Sequence, residues 1–465
     1  MQNQEEKFRA AVAAHMDKQY AQAEQDYLAI LATDGRSVPA LMHYGILLAQ
    51  TGRAAEAYEK LSAALKITPN DVALMNNLGR LLLDMEQLDQ AETMFRKAMA
   101  RDRNNALSLG HIALTKARKS DFAAAAQWYR RALEQDGSAD WIRYNYALNL
   151  LGSGNFEEAW PLHESRFSEQ WPERPVQAPK IPFPRWQGEA IDGKSIVVLC
   201  EQGHGDEIQL IRYAAHLKTL RARKVTWLCK PPLASLFASI EGIQVLPFAA
   251  GMAIEVHDYW VMAMSLPYCC RTTLATIPSA RESYLPRVRG GKLPALQDGA
   301  GLYKVGLAWQ GSKGLRNDRH RSLSDLAPLL VLGEIAGVRL YSLQKGEAED
   351  QARAAAHLGK LVHLGDSIEN FNDTALLIQQ LDLVITVDTA VAHLAGALGK
   401  PAWVMLPFAG IDWRWLHQGE QTPWYGNMRL FRQPRPGDNW PLVIAQIARQ
   451  LRLTVDQRNA ANLPG

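Results

Sequence analysis

Cysteine is scarce in this chain: Cys200, Cys229, Cys269 and Cys270 are the only four among 465 residues, and no two form a C-x-x-C pair. That scarcity excludes a disulfide framework and a cysteine-built zinc site. Three of the four lie in or beside apolar stretches and read as buried, reduced thiols. No apolar run is long enough to span a bilayer. The opening MQNQEEKFRA lacks the basic-then-apolar layout of a secretory signal. A cytoplasmic protein is therefore expected. Charge of one sign is also in short supply: 51 Lys and Arg stand against 48 Asp and Glu, a net of +3, so no global basic field argues for nucleic acid. H-E-x-x-H and G-x-S-x-G are both absent, which removes the usual zinc-protease and hydrolase signatures.

What the chain does have is a repeat. Ala11, Gly45, Gly79, Ala113 and Ala147 recur every 34 residues, and so do Ala23, Ala57, Ala91, Ala125 and Ala159. A large residue follows four places after most of the second set (Tyr27, Leu61, Phe95, Tyr129), and Ala64, Ala98 or Ala132 comes three places later. This is the period and pattern of tetratricopeptide repeats (TPR), helical hairpins whose small residues let paired helices approach closely. About five units cover residues 4–170. Pro69 ends a second helix, and Gly52 and Gly154 mark turns between paired helices. In the last unit His163 and Arg166 replace the large and small residues, as an end repeat does when it meets a different neighbour. Such a solenoid is expected to hold a polypeptide partner in its groove.

The texture then changes. Residues 171–192 are proline-rich without helical period and read as a stiffened linker, docked through Trp171, Phe183 and Trp186. From 193 to 286 short β-rich runs alternate with helical ones: 196–200, 224–229, 244–248 and 258–264 read as strands. A second linker at 287–301 precedes a fresh series over 302–452, with strands at 304–309, 338–343, 360–364, 381–387 and 401–406, and a tail at 453–465. The expected fold is an all-α TPR solenoid followed by two α/β Rossmann-like lobes with doubly wound parallel sheets.

In such sheets ligands bind beyond the carboxyl ends of the strands, so the loops there are the candidates. Glu201-Gln202-Gly203-His204-Gly205-Asp206-Glu207 follows the first strand. Its glycines permit a tight loop, and Asp206 has two readings: a helix cap, or an ionised base for an acceptor hydroxyl. The run 311–322 carries Lys313, Arg316, Arg319 and Arg321 with Asn317 among them, either a phosphate grip or a solvated basic loop. Gln344 and Lys345 follow the next strand. The clearest unit is 381–401: a strand ends at Val387, Asp388 or Thr389 caps a helix, and the free N–H groups of Thr389, Ala390 and Val391 form an anion site, with His393 one turn on. The alternative is an ordinary crossover helix with a core histidine. Trp413 and Trp415 offer a base-sized surface or simple packing. Residues 188–195 satisfy the Walker A expression, yet they follow a linker and precede a strand, so an ATPase reading is rejected.

Taken together, the segment 201–207, Asn317-Asp318-Arg319, Ser342-Leu343-Gln344-Lys345-Gly346, and above all Asp388-Thr389-Ala390 with His393, resemble bacterial glycosyltransferases of the heptosyltransferase-like class. Asp412-Trp413-Arg414-Trp415, with Pro423-Trp424-Tyr425 after it, is similar to the TPR-fused branch of that class, in which flagellin glycosyltransferases have a similar layout. The resemblance implies a GT-B type pair of lobes and an inverting transfer without a metal. It also implies no cofactor beyond the nucleotide-sugar donor, in keeping with the lack of any D-x-D pair. It assigns the base to Asp206 of the Gly205-Asp206 pair, and the donor diphosphate to Asp388, Thr389, Ala390 and His393. Gln202, Gly203, Gly205, Lys313, Asn317, Arg319, Gln344 and Lys345 are expected around the same nucleotide-sugar. The acceptor is expected to be Ser or Thr of a protein, flagellin by resemblance. The alternative is a TPR scaffold carrying a degenerate transferase.

Overall fold

The computed structural model describes residues 2–289, 296, 301–314, 318–437 and 439–461. They form two compact units, Met1–Asn149 with Ser168–Arg174, and Leu150–Phe167 with Pro175–Gly465.

The first unit is a run of helical hairpins: Gln2–Met16 with Tyr20–Thr33, Val38–Gln50 with Ala54–Ile67, Val72–Asp84 with Leu88–Arg101, and Ala106–Arg118 with Phe122–Gln135. The period of small residues has a direct steric cause. A Cβ on Gly45 would lie 2.8 Å from Leu61 Cγ, and one on Gly79 would lie 2.5 Å from Phe95 Cε1. The large residue of each second helix thus fills the space its first helix leaves open. Ala23, Ala57, Ala91 and Ala125 are fully buried between them.

The second unit carries ten described strands: β1 (Ser195–Leu199), β2 (Lys224–Cys229), β3 (Gln244–Pro247), β4 (Tyr259–Met262), β5 (Tyr303–Ala308), β6 (Val338–Ser342), β7 (Val362–His363), β8 (Leu383–Val387), β9 (Ala402–Leu406) and β10 (Met428–Arg432). They make a four-stranded sheet, β3-β2-β1-β4, and a six-stranded sheet, β10-β9-β8-β5-β6-β7. Every pairing is parallel. The second order is the doubly wound Rossmann order, with its reversal between β8 and β5. β1, β8 and β9 are buried along their whole length, as parallel strands covered on both faces must be. β10 was not anticipated: it lies at a sheet edge, and its Met-Arg-Leu-Phe-Arg run lacks the continuous apolar signature.

The helix expected near 206–220 is two, His204–Leu210 and Tyr213–Thr219. Between them Arg212 is buried and donates to the carbonyls of Gln209 and Trp424 at 2.8 and 2.9 Å. Trp186 of the proline-rich stretch is buried, and its neighbour Arg185 bridges to Trp260 of β4. Residues 188–195 run into β1 with no helix behind them, and Lys194 lies 3.5 Å from Asp258. The helix Phe156–His163, read from sequence as part of the solenoid, belongs to the second unit, where Trp160 Nε1 donates to Thr272 O at 2.9 Å.

Candidate active site

The carboxyl end of β1 leads into a loop braced from three sides. Gln202 has φ +64°, a conformation that costs a side chain energy. Lys230 Nζ donates to its carbonyl and sits 3.2 Å from Glu207 Oε1. Arg166 Nε and Nη2 donate to the two oxygens of Glu201 at 2.8 and 3.2 Å, both groups being buried. This explains the departure of Arg166 from the repeat pattern. Asp206 opens the helix His204–Leu210, and its Oδ2 accepts from Gly203 N–H at 2.6 Å. The capping role read from sequence is thus present. Its Oδ1 accepts from Arg414 Nη2.

Facing this loop is the helix Ala390–Ala397 after β8. Thr389 is its N-cap in extended conformation, φ −141°, without a side-chain cap. The Thr389 hydroxyl instead meets Thr386 Oγ1 at 3.0 Å. The first backbone N–H groups of the helix are therefore presented without a side-chain acceptor. His393 lies buried one turn on, its ring 5.1 Å from Trp415 and its Nδ1 2.8 Å from Tyr425 Oη. Burial, with Arg414, Arg212 and Arg321 nearby, holds this imidazole well below the usual histidine range, so it is neutral. The Tyr284 hydroxyl donates to Ile208 O at 2.9 Å and lies 3.4 Å from Tyr425 Oη. The two loops are in contact: a Cβ on Gly205 would lie 2.7 Å from His393 Cδ2 and 3.5 Å from Ala390 Cα. Only glycine allows this approach.

Asp388 is buried beneath the helix start, with Arg321 Nη1 4.0 Å from its Oδ2. Burial and the Asp412 carboxylate push its carboxyl up, to about 7. The native state therefore holds this proton more tightly than the unfolded chain. The stability so gained is present below the ordinary aspartate range and is lost as pH rises toward 7. Asp388→Asn is expected to flatten that part of the Tm–pH curve; an unchanged slope between pH 4 and 7 would contradict the assignment.

The other expected residues divide. Gln344 is buried, and its amide is spent on backbone: Oε1 accepts from Trp309 and Gln310 N–H at 3.0 Å each, and Nε2 donates to Gln310 O and Lys345 O at 3.1 and 2.8 Å. It braces the loop after β5 and has no free group for a nucleotide. Lys345 is 48 % exposed and bonds Gly365 O at 2.9 Å, with Glu349 Oε1 at 3.2 Å. Lys313 pairs with Glu347 on the surface. Arg319 Nε meets the neighbouring His320 ring, and Asn317 lies outside the described residues. From the same basic loop it is Arg321, anchored on Asp318 at 3.2 Å, that reaches Asp388. Glu349, His363 and Asp366 are the one group among the described residues whose metal-ligating atoms lie within 4.8 Å of one another. Arg353 already bridges its two acids at 3.3 and 2.8 Å, and Lys345 adds a second cation.

Trp413 and Trp415 are not open to a base. Trp415 is buried on His393, and Trp413 packs between Trp160 and Trp424 at 5.5 and 5.6 Å. Arg414, Tyr425 and Lys230 were missed as site residues. Arg414 had a local signal, a cation enclosed by two tryptophans; Lys230 had none.

Comparison with known proteins bears on these positions. Residues 334–403 match the family model for glycosyltransferase family 9 (heptosyltransferase), a span that includes Gln344, Lys345, Asp388, Thr389, Ala390 and His393. Residues 6–72 and 48–110 match two tetratricopeptide repeat models. Over 432 residues the chain is 27 % identical to Protein FlbA of Caulobacter vibrioides, covering 87 % of this chain and 71 % of that protein. Over 109 residues it is 30 % identical to the type IV pilus assembly protein PilF of Pseudomonas aeruginosa, covering 23 % of this chain and 43 % of that protein. A solved TPR protein of Thermus thermophilus is 19 % identical over 37 % of this chain and 92 % of its own, with a TM-score of 0.33. Among the described residues no helix is long and apolar enough to cross a membrane.

Proposed function

We propose that this chain, a tetratricopeptide module joined to a glycosyltransferase family 9 domain, is a metal-independent inverting transferase. It moves a sugar from a nucleotide-activated donor to Ser or Thr of a protein held by the repeats, and resemblance suggests flagellin as that protein. The observation that carries the reading is the contact of Gly205 with Ala390 and His393, which brings the loop that carries Asp206 against the start of the helix Ala390–Ala397. The donor diphosphate would lie on the N–H groups at the start of Ala390–Ala397, with the His393 ring and Lys345 as further contacts. Asp206 would take the acceptor hydroxyl proton as that oxygen bonds to the anomeric carbon. The bond to phosphate breaks on the opposite face, its electron pair leaving with the nucleoside diphosphate, so configuration inverts.

The test is a screen of UDP-, GDP-, ADP-, dTDP- and CMP-linked sugars, and of the corresponding free nucleotides, for Tm shift, followed by intact-mass analysis of acceptor proteins. A shift with one nucleotide and a mass gain of one sugar are expected; no shift with any nucleotide would favour a scaffold. Lys345→Ala is expected to weaken nucleoside diphosphate binding by about tenfold, the loss of one charge-assisted contact. Unchanged affinity by calorimetry would remove Lys345 from the donor site.

A further inference from the structure

We propose that Arg414 is a positioning residue, which aims the Asp206 carboxylate from the opposite sheet. The inference rests on the transferase reading above. Asp206 follows β1 of the four-stranded sheet, whereas Arg414 follows β9 of the six-stranded one. The Arg414 side chain is 3 % exposed and Asp206 18 %. Its guanidinium is fully committed. Nη1 donates to both oxygens of Asp412 at 3.0 Å each, Nε to Gln209 Oε1, and Nη2 to Asp206 Oδ1. Its own backbone is pinned as well, since Arg414 N–H donates to Asp412 Oδ1 at 2.9 Å and Thr422 Oγ1 donates to Arg414 O at 2.7 Å. A fork held this way has one orientation.

The consequence falls on Asp206. One carboxylate oxygen is fixed by Gly203 N–H and the other by Arg414, so the group cannot rotate. Each oxygen retains a lone pair for an incoming hydroxyl. Gly203 belongs to the same loop as Asp206, and Arg414 does not. The carboxylate is therefore aimed only while the two sheets are together, which ties acceptor activation to the lobe that takes the donor. The titratable groups around the pair are Asp412, Asp388 and the neutral imidazoles of His393 and His163 on the Arg414 side, and Glu207 with Lys230 on the Asp206 side.

The test uses the full chain with the UDP-, GDP-, ADP-, dTDP- and CMP-linked donors, reading sugar transfer by intact mass. Arg414→Gln is expected to lower kcat by about 10- to 100-fold, the scale of a misaimed catalytic group, with the donor KM unchanged. Arg414→Lys restores part of the lost kcat. The double variant Asp206→Asn with Arg414→Gln turns over no more slowly than Asp206→Asn alone. A wild-type kcat in Arg414→Gln, or single losses that multiply in the double variant, would overturn the proposal. Should Arg414→Gln fail to fold, Asp412→Asn keeps the cation but loosens its aim, and must lower kcat without moving the donor KM. The levels of failure separate. A wild-type chain that transfers from none of these donors ends the transferase reading. Normal transfer by Asp206→Asn ends the base assignment. Both controls behaving as expected with an unaffected Arg414→Gln ends this inference alone.

Discussion

Asp206→Asn is expected to lower turnover by about 10²- to 10⁴-fold, the range for loss of a general base, while nucleoside diphosphate affinity stays nearly unchanged. The two effects separate because Asp206 belongs to the β1 loop and the N–H groups proposed for the diphosphate belong to Thr389–Val391. Asparagine keeps the shape but offers only one acceptor oxygen. It can satisfy Gly203 N–H or Arg414, not both, and its NH₂ group faces the donor it fails to accept. A modest drop in Tm should therefore accompany the loss of turnover. Arg414 keeps Asp412 as its counterion, so the buried cation is not stranded and the fold should survive. Single-turnover mass analysis and calorimetry on the same variant decide the matter. Turnover within a few-fold of wild type would remove Asp206 as the base.

The second large effect is expected at Gly205. A methyl group there would sit 2.7 Å from His393 Cδ2. The imidazole has nowhere to retreat: Trp415 lies behind it and Tyr425 holds Nδ1. The strain is expected to cost about 1–3 kcal/mol, and the relief is for the 203–206 loop to back away from the helix Ala390–Ala397. Gly205→Ala should therefore weaken nucleotide binding and lower kcat together, because His393 and Asp206 are displaced by one change. Wild-type kinetics in Gly205→Ala would mean that the two loops need not touch for function.

Much of this was legible in the sequence, for reasons that are local. Gly79 and Phe95 show their relation as a period, since the same hairpin is built again and again. The strand ending at Val387 and the helix starting at Ala390 sit next to each other in sequence, so the strand-to-helix turn could be read from order alone. Asp206 as a cap is also a short-range matter, three residues from Gly203. The residues that went unseen act over distance. Arg414 meets Asp206 across 208 positions, and Lys230 reaches Gln202 across 28; neither pairing leaves a spacing to detect. Gln344 shows a different effect of distance. A polar residue at a strand end looks available until the backbone groups of Trp309 and Gln310 are seen to consume it. Trp415 was open to two readings, and the nearness of His393 decides for packing.

The fork between Arg166 and Glu201 bears on how the protein can be divided. The change of texture near residue 171 invites a cut there, to obtain a catalytic half free of repeats. Such a fragment would lose Arg166, and with it both hydrogen bonds that hold the Glu201 carboxylate, at the first residue of the loop that carries Asp206. Thr272 O would lose its Trp160 donor in the same stroke. A fragment begun before Leu150 keeps both, so the workable seam runs inside the fifth repeat.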